Sequence, residues 1–142
     1  MNFSFNFKNN NLKVTRKIKI SVKKVSWFRK GIGLMFLSRK KAKALLFEFE
    51  KSVKISFTSL FVFFPFIIIW LDSKNNVLDF RKVNPFELHI PSIKPFRRVL
   101  EVPFNSNYEE IIKKLFKRSA PDPARINKNK FVSQSRSSRE NI

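Results

Sequence analysis

The chain has 142 residues, enough for one domain with tails and too few for two domains of ordinary size. It carries 30 Lys and Arg against 10 Asp and Glu, for a formal charge of +20, and 43% of it is hydrophobic, so a core is within reach. The absence of Cys excludes disulfides, thiolate metal sites and cysteine nucleophiles, and a lone His excludes any site needing two imidazoles.

The charge is uneven. Residues 1–47 contain 13 bases and no acid, residues 48–110 contain 8 of each, and residues 111–142 contain 9 bases and 2 acids. The middle therefore reads as a neutral folded centre with basic ends. Phe, Ile, Asn and Lys dominate the composition, and all four are written with AT-rich codons, so nucleotide bias contributes to the charge. A large excess of one sign still attracts polyanions.

Phe3, Phe5 and Phe7 alternate with polar residues, which is a strand period. Lys8–Asn11 is a turn cluster. Alternation resumes with Leu12, Val14, Ile18, Ile20 and Val22 on one side and Lys13, Lys17, Lys19 and Lys23 on the other. A hairpin with a lysine ladder is expected. Ser26 can cap a short helical turn near 26–31 that Gly31 ends. Leu45, Phe47 and Phe49 alternate with Glu48 and Glu50, a strand that Lys51–Ser52 turns into a second one, Val53–Phe57.

Ile55–Leu71 is a run of seventeen uncharged residues. A helix of that length spans roughly 25 Å, short for a bilayer core of about 30 Å. Pro65 interrupts it, and Phe, Ile and Val favour strand. It is read as two buried strands, Ser59–Phe64 and Phe66–Leu71, rather than a membrane span. With no apolar leader at the N-terminus, a cytoplasmic location is expected. Ser73–Asn76 is a turn, Val77–Val83 a strand, Pro85 to Pro95 an extended loop, and Arg97–Val102 the last strand.

The period then changes. Tyr108, Ile111, Ile112, Leu115 and Phe116 form one helical stripe near 107–118, with Ser106 or Asn107 as cap. Glu109 and Glu110 open it, and Lys117 and Arg118 close it, which suits the helix dipole. Residues 119–142 are polar and basic and read as a disordered tail.

Several pieces, in order, carry a resemblance. They are Arg29–Lys30 before Gly33-Leu34-Met35-Phe36, then Ala44-Leu45-Leu46-Phe47, then Phe61-Val62-Phe63-Phe64-Pro65 with Trp70-Leu71-Asp72, then Val77, and finally Val99-Leu100-Glu101-Val102-Pro103. From about Lys17 to Pro103 the chain resembles the uncharacterised family catalogued as domain of unknown function one-nine-two, in its archaeal style. The resemblance implies a compact, mostly β sandwich or barrel, jelly-roll-like, and no activity. The family usually has an acid shortly after the Pro, where this chain has Ile67, and a small turn after Pro103, where it has Phe104-Asn105 and a helix. The organisation expected is a basic hairpin extension (1–16), a β domain (17–104), an amphipathic helix (105–118) and a tail (119–142).

Candidate chemistry is sparse. His89 suits a proton shuttle but stands without a second His, so a surface loop residue is the simpler reading. Asp72 and Asp79 flank a turn, as solvated turn residues do. Glu48 and Glu50 read as a solvent face balanced by Lys51 and Lys54. Glu101 sits between Leu100 and Val102 and is expected to pair with Arg29 or Arg97. Gly31-Ile32-Gly33 lacks the rest of a phosphate-binding loop and reads as a tight turn. Lys13, Lys17, Lys19 and Lys23, with Arg39, Lys40, Lys41 and Lys43, form the candidate polyanion site. No catalytic residue, metal or cofactor is expected. The expectation is a small soluble non-catalytic β domain of unknown function that binds polyanions, nucleic acid among them, weakly through its basic N- and C-terminal regions. Alternatives are a peripheral protein on an anionic membrane surface, and a small-molecule binder or enzyme with a cleft near Asp72 and Glu101.

Overall fold

A computed structural model describes residues 1–9, 13–25, 34–35 and 37–119. The expected helical turn near 26–31, the Gly31–Gly33 element, Arg29 and the tail from 120 onward lie outside them. Among the described residues eight strands run in chain order: β1 (Asn2–Asn9), β2 (Val14–Lys24), β3 (Ala44–Val53), β4 (Ser56–Phe57), β5 (Phe66–Leu71), β6 (Val77–Val83), β7 (Ile90–Pro91) and β8 (Phe96–Pro103). A 3-10 turn, Ser106–Tyr108, leads into helix α1 (Glu109–Ser119).

Six strands form one sheet in the order β1-β2-β3-β8-β5-β6, and β4 and β7 form a separate ribbon. Every pairing in the large sheet is antiparallel except β2 with β3, which starts at Val22 opposite Ala44. The sheet curls until its edges nearly meet. Asn6 of β1 bridges Asn76 beside β6, and its N–H donates to the Asn75 carbonyl at 2.8 Å. Phe7 of β1 and Phe80 of β6 touch edge to face at 5.7 Å. The fold is mostly β with a nearly closed, barrel-like sheet.

Alternation sorts the side chains into two layers. Inside the curl lie Phe3, Phe5, Ile18, Ile20, Leu46, Leu100, Ile67 and Ile69, all buried. The register confirms the shared face: Phe5 opposes Ile18, Leu46 opposes Leu100, and Leu100 opposes Ile69. Outside, Leu45, Phe47, Phe66, Ile68, Trp70 and Val99 are covered by Val25, Leu34, Ala42, Val62, Phe64 and Ile90. Strand β5 is therefore buried on both faces along all six residues. Each of its isoleucines gains roughly 1.5–3 kcal/mol by leaving water.

Three local expectations need correction. Ser59–Phe64 is not a strand. Its backbone turns at Ser59, whose carbonyl accepts from the N–H groups of Val62 and Phe86, and Phe61 sits at φ 68. An apolar run bounded by a proline does not by itself distinguish a strand from a turn whose phenyl rings face solvent. Second, Lys51–Ser52 does not turn the chain. Strand β3 continues to Val53, which pairs with Phe96 after a register irregularity, and only Ser56–Phe57 follows as β4. Third, Ser106 and Asn107 lie in the 3-10 turn that leads into α1, and that turn is capped by Asn105, whose Oδ1 accepts from the Asn107 N–H at 3.1 Å.

One open end of the curl is tied by charge. Arg98 donates to Glu48 Oε1 at 2.8 Å, to the Ser73 carbonyl at 3.0 Å and to Asn75 Oδ1 at 3.0 Å. Lys24 reaches Glu48 Oε2 at 3.1 Å. Glu48 is thus balanced by Lys24 and Arg98, not by Lys51 and Lys54. The bond from Lys24, then that from Arg98, holds its carboxyl below the usual range. Arg98→Ala is expected to cost about 2–3 kcal/mol, and Lys24→Ala less than about 1 kcal/mol because its pair is exposed. Urea denaturation of both variants checks this, and equal costs would contradict the central role of Arg98.

Candidate functional site

Strand β2 sets the basic candidates by its alternation. Ile18, Ile20 and Val22 point inward and are buried, so Lys17, Lys19 and Lys23 face solvent. On β1 their register neighbours are the small or polar Asn6 opposite Lys17 and Ser4 opposite Lys19. Lys43 immediately precedes β3 and is exposed. The parallel register places it beside Ser21, on the same outward face as Lys19 and Lys23. Alternate positions recur about every 6.8 Å along a strand. Among the described residues, none of Lys17, Lys19, Lys23 and Lys43 is in an ion pair.

The other candidates separate from this strip. Lys13 stands at the far end of β2, in a turn at φ 51. Arg39, Lys40 and Lys41 occupy an exposed turn, closed by Lys41 and Ala42 N–H groups on the Ser38 carbonyl. Arg39 is held, since its Nε donates to the Phe104 carbonyl at 2.5 Å. Asn105 fastens the same turn through the carbonyls of Arg39 and Ala42, both at 2.9 Å. Tyr108 accepts from the Ala44 N–H at 2.8 Å and donates to the Ser21 carbonyl at 3.1 Å, pinning the start of the parallel β2–β3 pairing.

The acids do not assemble into a cleft. Asp72 is a turn residue: its Oδ1 accepts from the N–H groups of Lys74 and Asn76, and its Oδ2 from the Asn76 side chain. Burial opposes its charge, but the Asn76 and Lys74 bonds outweigh that and hold its carboxyl below the usual range. Glu101 pairs in register with Ile68, four residues before Asp72 on β5, which puts the two about 13 Å apart along the strand. Asp79 bonds the N–H of Phe80. His89 is exposed, with its Nδ1 2.9 Å from Ser56 Oγ.

Glu101 is the unusual group. Its register with Leu45 and Ile68 aims it into the outer apolar layer, where it is buried. Among the described residues it has no ion pair with Arg97 or any other base, and the expected partner Arg29 lies outside them. Burial, opposed by a backbone N–H from Leu34, pushes its carboxyl up to about 7. Trp70 stands diagonally across on the same face, and its buried Nε1 has no hydrogen-bond partner among the described residues. A neutral carboxyl can both donate and accept. Sequence spacing flagged Glu101 as an acid between apolar residues, but its depth came from the segment folded over it.

These features define a small barrel-like β domain with a basic strand face and one buried carboxyl. The chain belongs to the uncharacterised family DUF192, "Uncharacterized ACR", whose model matches residues 8–114. The match begins within β1 and ends within α1. A comparison with curated proteins finds no match. Two solved structures are similar in fold. One, from Sinorhizobium meliloti 1021, is described as a "putative transcription regulator"; it aligns with a TM-score of 0.57 at 16% identity, covering 78% of this chain and 86% of that one. The other, a protein of unknown function from Novosphingobium aromaticivorans DSM 12444, has a TM-score of 0.54 at 17% identity, covering 72% and 73%. Among the described residues, no helix is long and apolar enough to cross a membrane.

The Glu101 carboxyl makes stability depend on pH. Unfolded, it titrates near 4.5; folded, at about 7. Between these values the unfolded chain holds fewer protons, so stability falls as pH rises from 4.5 to 7 and is level above. The contribution is about 3 kcal/mol. Relative to the parent, Glu101→Gln is expected to gain that much between pH 4.5 and 7.5. Denaturant titrations at both ends check it, and a difference that does not change with pH would show that Glu101 does not titrate in this range.

Proposed function

We propose that this domain is a non-catalytic module that binds nucleic acid through the outward face of β2. The observation that carries the reading is the row of Lys17, Lys19 and Lys23, joined by Lys43, on one exposed face without acidic partners among the described residues. Such a row neutralises successive phosphates and releases counterions, so its affinity is independent of sequence and dependent on salt. Small neighbours on β1, Ser4 and Asn6, leave the lysines room to reach a strand of phosphates. The +20 charge adds a long-range attraction that speeds encounter. Catalysis is not part of this reading, because Asp72 is committed to its turn and Glu101 is buried within the outer layer.

A fluorescent single-stranded oligonucleotide, titrated by anisotropy across a salt series, tests it. Affinity is expected to fall steeply with salt. The variant Lys17→Gln/Lys19→Gln/Lys23→Gln is expected to reduce the log–log salt slope by about 2, at roughly 0.7 per phosphate contact. Affinity indifferent to salt, or an unchanged slope in the triple variant, would overturn the assignment.

A further inference from the structure

The second exposed feature of the domain lies away from β2, at the β4–β7 ribbon and its flanking turns. Ser56 pairs with Pro91 and Phe57 with Ile90, which brings residues 54–64 and 84–94 side by side. Large apolar side chains there face water. Phe61 is 44% exposed, Phe63 60%, Phe86 55%, Leu88 73% and Ile93 68%. Isolated exposed hydrophobes are ordinary, but a contiguous group marks an interaction site. Two of them touch: the Phe63 and Phe86 rings meet edge to face at 5.6 Å, across the two turns.

The backbone holds them out. Phe61 at φ 68 and Phe86 at φ 63 both occupy the left-handed region, which is a true outlier for bulky residues. Such conformations persist only where the surroundings impose them, and they cluster at functional sites. Here Ser59 imposes them. It is fully buried, its N–H donates to the Glu87 carbonyl at 2.8 Å, and its carbonyl accepts from Phe86 N–H at 3.1 Å. Its hydroxyl accepts from Glu87 N–H and donates to the Asn84 carbonyl, both at 2.7 Å. The braced turns thus present phenyl rings to solvent, where the hydrophobic effect would otherwise bury them.

Charge selects the partner. Lys54 and Lys94 are exposed at the opposite end of the ribbon from the phenyl rings. Glu87 is the one acid in the two segments, and it is occupied by Arg81 and by the Asn84 N–H. An exposed aromatic pair on a chain of +20 repels a second copy of itself and fits an anionic lipid surface. Aromatic rings enter the headgroup boundary while the net positive charge is drawn to acidic headgroups. We propose that the turns carrying Phe61, Phe63, Phe86 and Leu88 dock the domain on an anionic bilayer. This surface is separate from the β2 row and does not depend on it.

Co-sedimentation of the full chain with vesicles of phosphatidylcholine alone, or with 30% phosphatidylserine, tests the proposal. Binding is expected only with phosphatidylserine. Phe63→Ser/Phe86→Ser is expected to lose at least tenfold in partitioning while binding the oligonucleotide as the parent does. Retention of vesicle binding by that variant would overturn the proposal, as would absence of binding by the parent. Loss of vesicle binding in Lys17→Gln/Lys19→Gln/Lys23→Gln alone would also overturn it, by assigning the attraction to β2. Phe63→Trp supplies a readout that needs no loss of function: its emission is expected to shift to the blue on anionic vesicles and to be quenched by lipids brominated in the acyl chain. An unquenched, unshifted emission would place Phe63 outside the bilayer and sink the assignment.

Discussion

A six-stranded sheet has two edges, and the fold depends on bringing them together. The turn after β5 does this. Asp72 shapes it with three hydrogen bonds, Asn75 adopts φ 63 within it, and Asn6 of the first strand docks on its backbone. Arg98 then binds Asn75, the Ser73 carbonyl and Glu48 at once, linking the turn to β8 and β3. With the edges held, Phe3, Phe5 and Phe7 have somewhere to be buried. Without that closure, β1 would expose both an apolar face and unpaired backbone groups.

Closure also explains why β5 can be uncharged throughout. A strand in an open, one-sided sheet alternates apolar with polar residues. Strand β5 instead has the curled interior on one face and the covering segments on the other, so Phe66 to Leu71 are all buried. Glu101, on the neighbouring strand, is the exception in that outer layer. Its carboxyl is tolerated because it is driven towards neutrality and takes one backbone bond from Leu34.

The same closure separates the charge from the core. Because β2 turns Ile18, Ile20 and Val22 inward, Lys17, Lys19 and Lys23 must face out, and the neighbouring strands leave these three without acidic partners among the described residues. The acids that do pair take other bases: Glu48 holds Lys24 at the end of β2 and Arg98 on β8, and Glu87 holds Arg81. The aromatic turns around Ser59 are a separate surface, because they hang from the β4–β7 ribbon rather than from the large sheet.

Much of this was legible in the sequence wherever the deciding forces are local. Alternation in β1 and from Lys17 to Lys23 of β2 named the buried and exposed residues, though Val14 at the start of β2 is exposed; the polar Ser73–Asn76 cluster marked its turn, and the change of period marked α1. The sequence by itself therefore determined a mostly β domain, with the lysine row on one strand face. The tertiary structure alone decided what contacts across long separations control. Glu48 meets Arg98 fifty positions away. Ser59 meets Glu87 twenty-eight away and converts an apolar run from strand to turn. Glu101 changes its protonation because segments remote in the chain cover it. A residue's own neighbours in sequence report its period, but its desolvation and its partners are properties of the closed sheet.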